Sequence, residues 1–589
     1  MTGADRPSDA APAVPPAVQP TQRHTLASRA ALGAAAGTLF GLADAAVMLW
    51  ARHHPTILAI HKVPPDVLWV APMVYAPAFA LGAVAVHLLD VLTRGRLPSP
   101  LLLFLLLAPG CVLVVASPDV LARWSAIVLG CGAAAFVARG ARGRDVALAL
   151  RLRRAVLALP LLVLALFGGV RAARNLAESR AFDALPPAPS SAPNVLVVVL
   201  DTVRGDRFDA HGLSSLTPRL NAWTAEGTAY GNAWSTTSWS LPSQASILTG
   251  TSPHEHGADW PGLHVADTLP TLAEHYRDRG YATGAFSGNA SWVVPEYLGR
   301  GFLRFRTYIL ENVVRRTALG RALDPVLVAL GQHAAGRGKK AGQVNAEFTQ
   351  FLDEHRGRPF FAYLCYMDVN QALHHRRLNR TAWDPPLSEA EVVRAYDEGL
   401  AALDVEIGRL HDALAERGLL ADTVVVLTSD HGESFGAHDT EDHDPLGHGT
   451  SLYPEQTEIP LAVIAPGRIA AGASDDVVAS LRDVAATVVA LSDGDPAPFT
   501  HPLPLTAAPR ETDTTTALLT LRYGLREQNA AVRRRLLLIE DTAAEPVRHE
   551  QYELTTDPRA EHDLADGAAP DAGLLQFLRE QLGPLRAPR

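Results

Sequence analysis

Lysine is almost missing from this sequence: among 589 residues it occurs only as Lys62, Lys339 and Lys340, and arginine carries nearly all the positive charge. Cysteine is as scarce. Cys111, Cys131 and Cys365 cannot build a disulfide framework, and each lies in an apolar segment, so they read as small core side chains. A formal net charge of -10 leaves no basic surface for nucleic acid, which excludes that class of partner. The chain is too long for one compact core, so at least two structural units are expected. Apolar residues reach 48%, and the excess sits before about residue 172.

Residues 1–27 are rich in Pro, Ala and Thr and read as a disordered tail. Apolar segments follow at Ala30–Trp50, Val67–Leu92, Leu101–Ala116, Trp124–Val137 and Ala155–Val170, giving a transmembrane region over 28–172. The first two exceed the roughly 20 residues a bilayer demands, and the third and fourth suit a tight hairpin around Ser117–Arg123. Several apolar segments after the first argue against a cleaved signal peptide. Arg23 and Arg29, then Arg94 and Arg96, then Arg139, Arg142, Arg144, Arg151, Arg153 and Arg154 occupy alternate loops. With five spans, the positive-inside rule puts the N-terminus in the cytoplasm and everything after Arg171 on the periplasmic or extracellular side; four spans would reverse this. Asp44 and His87 lie toward segment ends and are expected to reach the interface, without a function. Residues 173–193 read as a Pro-rich linker.

Beyond it, Asn194–Leu200 is a continuous β-branched run bounded by Pro and Asp, the pattern of a central parallel strand. Ala282–Ser287, Phe360–Tyr366, Thr423–Thr428 and Pro460–Ala465 resemble it. Helical segments alternate with these runs, at Leu269–Arg279 before Gly280 and from Ser388, with Glu391 completing a capping box, to about Arg417. The alternation predicts an α/β domain with a mostly parallel sheet and function at the carboxyl ends of its strands. Two such ends are polar: Asp201-Thr202-Val203-Arg204, and Thr428-Ser429-Asp430-His431-Gly432-Glu433-Ser434. A single Asp there often merely caps a helix, but two such ends with carboxylate and imidazole make a divalent metal site. Between them Ser240 reads as the N-cap of a helix with Pro242 in its first turn and Gly250 past its end. That is a capped helix and nothing more, or a nucleophile at the positive end of a helix dipole.

The segments NVLVVVLDTVRGDR, SWSLPSQASILTGTSPHEHG, TLPTLAEHYRDRGYATGAF, AYDEGLAALDVEIGRL, VVVLTSDHGESFGAH, GHGTSLYPEQTEIPLAV and YELTTDPRAEHDLAD, in this order, resemble the sulfatase family of the alkaline phosphatase superfamily, from about Asn194 to Ala565. The resemblance implies a catalytic domain over 194–496 and a small C-terminal subdomain over 497–589, where Arg522 and Tyr523 approach the site or simply pack. In the family a Cys or Ser in C/S-x-P-x-R becomes formylglycine. Ser240 and Pro242 match, but Gln244 stands where the signature has Arg. The family metal is usually calcium, held by two Asp and an Asp-Asn pair. Here those positions are Asp201, Thr202, Asp430 and His431, with the Ser240 oxygen, and the imidazole favours manganese or zinc. This set resembles phosphonate monoester hydrolases and lipoteichoic-acid-type synthases.

Other positions depart as well. Asn289 falls where one of two anion-binding lysines is expected, and Asn370 where a proton-donating His is expected. His448 is the remaining acid or anion ligand. His438 and His443 either complete a second metal site or belong to a solvated loop. Three readings follow: a membrane-bound sulfuric ester hydrolase, requiring a formylglycine-generating enzyme if Ser240 is modified; a phosphodiester or phosphonate hydrolase or phospho-group transferase; and a catalytically weak scaffold. The substrate is a sulfated or phosphorylated small molecule, glycan or lipid.

Overall fold

The computed structural model describes residues 25–52, 63–118, 120–141, 158–189, 192–208, 215–329, 338–378, 387–436, 438, 446–492, 494–499 and 515–583. The expected N-terminal tail, up to residue 24, and His443 lie outside the described residues. The chain divides into two compact units, Met1–Val47 with Leu68–Phe167, and Met48–Val67 with Gly168–Arg589.

The first unit is helical: α1 (Leu26–Ala51), α2 (Val67–Leu92), α3 (Ser99–Ala116), α4 (Arg123–Gly140) and the start of α5 (Leu159–Asp183). Four of these, α1, α2, α3 and α5, are long and apolar enough to cross a membrane. The sequence anticipates five spans. Helix α4 falls short because it is only 18 residues long, so Arg123 and Arg139 at its ends weigh on the hydropathy of an otherwise apolar stretch. It packs on α3 as the expected hairpin, with Gly130 so close to Val112 that a Cβ would meet the Val112 backbone at 2.6 Å. Between α1 and α2 the same economy operates. Cβ atoms at Gly33 and Gly37 would lie 2.3 and 2.4 Å from the carbonyls of Phe79 and Tyr75, so glycine lets two helix backbones touch. One expectation is corrected here: Asp44 does not reach an interface. It is fully buried and accepts hydrogen bonds from the Tyr75 hydroxyl at 2.9 Å and from Ser117.

Helix α5 also corrects the expected linker. It continues to Asp183, because residues 171–183 are good helix formers free of Gly and Pro, and only Pro186 onward breaks the pattern. Within the second unit, Phe182 of α5 stacks on His355 at 3.8 Å, and Glu178 pairs with Arg306 at 2.6 Å and with Arg304 at 3.1 Å.

The second unit is built on an eight-stranded sheet of β1 (Asn194–Leu200), β2 (Thr228–Tyr230), β3 (Ala282–Ser287), β4 (Arg304–Arg306), β5 (Phe360–Tyr366), β6 (Thr423–Thr428), β7 (Leu461–Ile464) and β8 (Ala473–Asp475). Their order is β8-β2-β7-β6-β1-β5-β3-β4. The strands β6, β1, β5, β3 and β4 are mutually parallel, and β7 runs antiparallel to β6 and β2. Strand β1 is buried on both faces: Val195, Val197 and Val199 join one core, and Leu196, Val198 and Leu200 the other. That is why its sequence is continuously apolar rather than alternating. The two long expected helices are present, as α8 (Leu272–Asp278), with its Thr271–Glu274 capping box, and α11 (Glu389–Glu416), with its Ser388–Glu391 box. Between β2 and α8 stands α7 (Ser240–Thr249), every residue of which is buried, and α6 (Pro218–Thr224) precedes it. Between α8 and α11 lie α9 (Ala341–Glu354) and α10 (Asp368–Leu378).

A second sheet, β9 (Thr516–Tyr523), β10 (Arg526–Arg533), β11 (Leu536–Asp541) and β12 (Arg548–Glu553), is an antiparallel meander. Its alternation is the simple one. Ala517, Leu519 and Leu521 face the main core, while Leu518 meets Leu574 and Leu578 of α12 (Ala572–Leu582).

Candidate active site

Four neighbouring parallel strands deliver one polar residue each to the same edge of the sheet. Asp201 follows β1, Asp430 follows β6, Asn370 follows β5 and Asn289 follows β3. Because β1 and β6 are in register at Val199 and Thr428, the two aspartates come out side by side. Ligating oxygens of Asp201 and Asp430 and a nitrogen of His431 lie within 4.8 Å of one another, and all three residues are fully buried.

Every partner of these carboxylates is neutral. Asp201 accepts from Asn289 Nδ2 at 2.9 Å and from Asn370 Nδ2 at 3.2 Å. Asp430 accepts from Gln244 Nε2 at 2.9 Å and from the backbone N–H groups of His431 and Thr202 at 3.0 and 3.4 Å. Among the described residues, neither aspartate pairs with Lys or Arg. Burial, and then the charge of Asp430, push the Asp201 pKa well above the carboxylate range. Two buried carboxylates beside an imidazole, with no Lys or Arg paired to them among the described residues, fit a divalent metal ion on the chemistry of the donor set.

The backbone at Thr202 is strained to make this possible. Its φ of +67° is rare for a β-branched residue and costs about 1–3 kcal/mol. The conformation is held by the Tyr396 hydroxyl on the Thr202 carbonyl at 3.0 Å and by the Thr202 hydroxyl on the Asp201 carbonyl at 2.6 Å. The Thr202 hydroxyl, anticipated as a metal ligand, donates to the backbone, and the Thr202 N–H faces Asp430.

Ser240 sits at the start of α7. The expectation of an N-cap is corrected by one residue: Trp239 is the N-cap, in extended conformation, and Ser240 is the first helical residue, with Gly250 closing the helix at φ +69°. Pro242 two positions later fixes the local backbone and sacrifices no hydrogen bond there. Ser240 Oγ lies 3.1 Å from His431 Nε2 and 3.4 Å from Asn289 Nδ2. His431 Nδ1 faces the Gly432 carbonyl at 2.9 Å and so carries the ring proton, which turns the Nε2 lone pair toward Ser240 and Asp430, the latter 3.7 Å away. Burial holds the His431 pKa below its ordinary value despite the nearby Asp430. His256 anchors the same helix from behind. Its Nδ1 accepts from the Ala258 N–H at 3.1 Å, so its Nε2–H donates toward the Pro242 carbonyl at 3.1 Å, and burial lowers its pKa to about 3.

Gln244, the departure from the family signature, is a hub. It takes a hydrogen bond from the Tyr363 hydroxyl at 2.6 Å and donates to Asp430, with Cys365 Sγ 3.3 Å away. Asn370, which cannot move a proton, holds Asp201 instead, and its own Oδ1 is buried without a partner among the described residues. His448 joins the cluster, its ring centroid 4.3 Å from that of His431. Burial opposes a charge on His448, but Glu433 at 2.9 Å from its Nδ1 prevails and raises the pKa, and the same pair lowers that of Glu433 against its burial. Glu433 was visible in the Asp430-His431-Gly432-Glu433 run but had no assigned role in the sequence; only the fold brings it to His448. Tyr363 and Tyr396 carry no sequence signal beyond strand and helix periodicity.

The remaining candidates lie elsewhere. His438 places Nδ1 on Glu455 at 2.8 Å and Nε2 on the Ala560 carbonyl at 3.0 Å, so neither nitrogen is left for a second metal. Lys339 is buried on Glu347 at 2.5 Å, with its pKa lowered by burial, and Lys340 is exposed. Arg522 pairs with Glu527 at 3.0 Å, and Tyr523 packs 5.1 Å from Trp239, the residue before Ser240.

A sequence model of the sulfatase family matches residues 193–494. Arylsulfatase A of Bos taurus is 26% identical over 340 residues, which are 52% of this chain and 65% of that protein, so the chain spans somewhat less than two thirds of that relative's length. An N-acetylgalactosamine-6-O-sulfatase of Bacteroides thetaiotaomicron is 23% identical over 64% of this chain and 90% of its own. Among solved structures, a phosphonate monoester hydrolase of Agrobacterium radiobacter superposes on 66% of this chain and 95% of its own, with a TM-score of 0.50 and 19% identity. The family model covers more than half of the sequence, and its span contains Asp201, Ser240, Asn289, Asp430, His431 and His448. This chain belongs to the sulfatase family of the alkaline phosphatase superfamily.

Proposed function

We propose that the chain is a membrane-anchored sulfuric ester hydrolase with Ser240, or formylglycine derived from it, as nucleophile. The observation that carries this reading is the convergence of Ser240 Oγ, the His431 Nε2 lone pair and two buried carboxylates without a Lys or Arg partner among the described residues at one sheet edge. Asp201, Asp430 and His431 would hold a divalent ion, with manganese or zinc suiting the imidazole better than calcium. When bound, that ion supplies Lewis-acid charge to the ester and to the nucleophile oxygen. The rest falls to side chains. Ser240 Oγ attacks in line from the positive end of α7, and Asn289 Nδ2 steadies the nucleophile and Asp201. With Nδ1 committed to Glu433, His448 keeps its Nε2–H to protonate the leaving oxygen. Asn370 and Gln244 orient the two aspartates and touch no proton in flight.

A second reading, a phosphodiester or phosphonate hydrolase or phospho-group transferase, is favoured by a specific observation. The positions that would mark sulfate recognition hold the neutral amides Gln244, Asn289 and Asn370, and Lys339 is spent on Glu347. An unmodified serine also turns over a phosphoryl adduct readily, whereas formylglycine releases sulfate by elimination. Mass analysis of the Ser240 peptide from the native host separates the two. Loss of two hydrogens supports the sulfatase; an unmodified serine in fully active protein rejects the formylglycine route and favours the phosphoester reading.

The anchor reading adds α4 to the four apolar helices, which gives five spans with the domain outside the cytoplasm. It is supported by the alternation of arginine-rich and arginine-poor loops. A cysteine introduced at an exposed domain position such as Leu525 and labelled by a membrane-impermeant maleimide in intact cells tests it.

A further inference from the structure

Between β4 and α9 two further helices, Leu310–Arg316 and Ala318–Ala329, pack on one another as a hairpin. The second is inside out. Over residues 318–327 its exposed positions are Ala322, Leu323, Pro325 and Val326, all apolar, with Leu323 42% and Val326 56% exposed. Leu310 on the first helix is 49% exposed as well. The charges are turned the other way: Arg321 donates to the Arg316 carbonyl, and Asp324 pairs with Arg315 at 2.6 Å. Arg316 in turn donates to the Ala290 carbonyl, which fastens the hairpin to the domain. A lone exposed leucine calls for no explanation. A helix that hides its charges and presents only apolar side chains is built for a surface other than water.

The neighbours of the hairpin indicate that surface. Arg52 is the first residue after α1, and it pairs with Glu296 at 3.4 Å. Glu296 accepts from the Tyr308 hydroxyl at 2.8 Å, and the Arg316 guanidinium lies 4.9 Å from the centre of the Tyr308 ring. These contacts lead in sequence from the end of α1 to the hairpin. A second approach reaches the same place. The apolar stretch of α5 ends before Arg171, and Glu178, which holds Arg304 and Arg306 of β4, stands about 10 Å further along the helix. The headgroup layer is about 5–8 Å deep on each side of a bilayer. A hairpin that follows β4 by a few residues thus starts close above the headgroups.

We propose that the helix Ala318–Ala329 is seated on the lipid surface at which α1 ends, with Leu323, Val326 and Leu310 in the boundary between headgroups and acyl chains. The proposal rests on the anchor reading, which makes the ends of α1 and α5 the membrane boundary. Lipid is the occupant that fits, because the exposed face lies beside those helix ends and offers no side chain that donates, accepts or carries charge.

The full chain, with Cys111→Ala and Cys131→Ala and the buried Cys365 left in place, is embedded in nanodiscs of phosphatidylcholine and phosphatidylglycerol. A single environment-sensitive fluorophore is attached at Trp50→Cys, Leu323→Cys, Val326→Cys or Leu525→Cys, all exposed positions. The labels at 323 and 326 are expected to lose more than half of their emission to lipids that carry a nitroxide near the headgroup, and to be shielded from iodide in the water. The label at 525 should show the reverse. Lipid quenching at 50 but not at 323 and 326 overturns the seat and leaves the anchor standing. Quenching at 323 and 326 without quenching at 50 upholds the seat and rejects the α1 boundary; quenching at none of the three rejects both. Labels at 323 and 326 that are shielded from iodide yet untouched by the nitroxide lipids are covered by a second copy or by another segment of the chain, which also overturns the seat.

Discussion

Replacing a metal ligand should make the metal-free protein more stable. Asp201 and Asp430 are buried with ligating atoms no more than 4.8 Å apart. At an effective dielectric constant of about 20, two charges at that distance repel by about 3.5 kcal/mol. Asp201→Asn removes one charge and nearly preserves shape. It forfeits one hydrogen bond, because an amide offers a single acceptor oxygen where Asp201 now receives from both Asn289 and Asn370. Part of that loss is recovered if Asn370 turns its unpartnered Oδ1 toward the new N–H. With about 1 kcal/mol charged to the lost bond, a net gain of about 2 kcal/mol remains. In a unit of roughly 400 residues, at about 2.1 cal/mol/K of unfolding entropy each, that is a rise of about 2–3 °C in thermal midpoint. The sign with pH follows from the raised Asp201 pKa. The folded wild type binds a proton that the unfolded chain has already released, so chelated wild type loses stability as pH climbs above the ordinary carboxylate value, and Asp201→Asn flattens that slope. The assay is thermal unfolding of the full chain in micelles, with chelator and with excess manganese. Wild type should gain from the metal and the variant should not. If Asp201→Asn melts lower than wild type under chelator at pH 8, the account of an uncompensated carboxylate pair is wrong.

Other perturbations follow from the same geometry. Glu433→Gln removes the charge that raises the His448 pKa, so the alkaline limb of the pH–rate profile should move to lower pH while the thermal midpoint changes little. A profile that stays in place would mean that His448 is not the acid. Gln244→Leu strands the Tyr363 hydroxyl and one oxygen of Asp430 in the core, at a cost of about 2–4 kcal/mol measured as a lower thermal midpoint. Manganese, by engaging Asp430, should return part of that loss. In the N-terminal helical unit, Gly37→Leu puts a side chain where a Cβ already lies 2.4 Å from the Tyr75 carbonyl, so α1 and α2 must separate, and the variant should aggregate in detergent at temperatures wild type tolerates.

What the sequence revealed depended on whether a feature is local. Strands β1, β5 and β6 announce themselves because a strand buried on both faces is apolar nearly throughout, and Asp201 and Asp430 announce themselves as the first charged residues after such runs. Ser240, Pro242 and Gly250 mark a helix for equally local reasons, and the one-residue error at the cap is the ordinary ambiguity of a helix start. Interactions across the sheet were out of reach. That Gln244 bridges Tyr363 and Asp430, that Glu433 meets His448 and that Asn370 steadies Asp201 all follow from strand order and register, which no spacing in the chain encodes. The N-terminal helices show the same limit. Apolar length gave the helices, but Asp44 was placed at an interface because its partners, Tyr75 and Ser117, stand on other segments.

The central claim is that ester cleavage happens at Ser240 beside a divalent ion held by Asp201, Asp430 and His431. Its most direct test is one set of turnover measurements on 4-nitrophenyl sulfate and bis(4-nitrophenyl) phosphate, for wild type and Ser240→Ala, after chelation and after manganese, zinc or calcium is returned. The account predicts that wild type hydrolyses at least one ester only when metal is present, and that Ser240→Ala keeps the metal-dependent thermal shift while losing at least about a thousandfold in rate. Hydrolysis that survives Ser240→Ala, or that is indifferent to chelation, would contradict it.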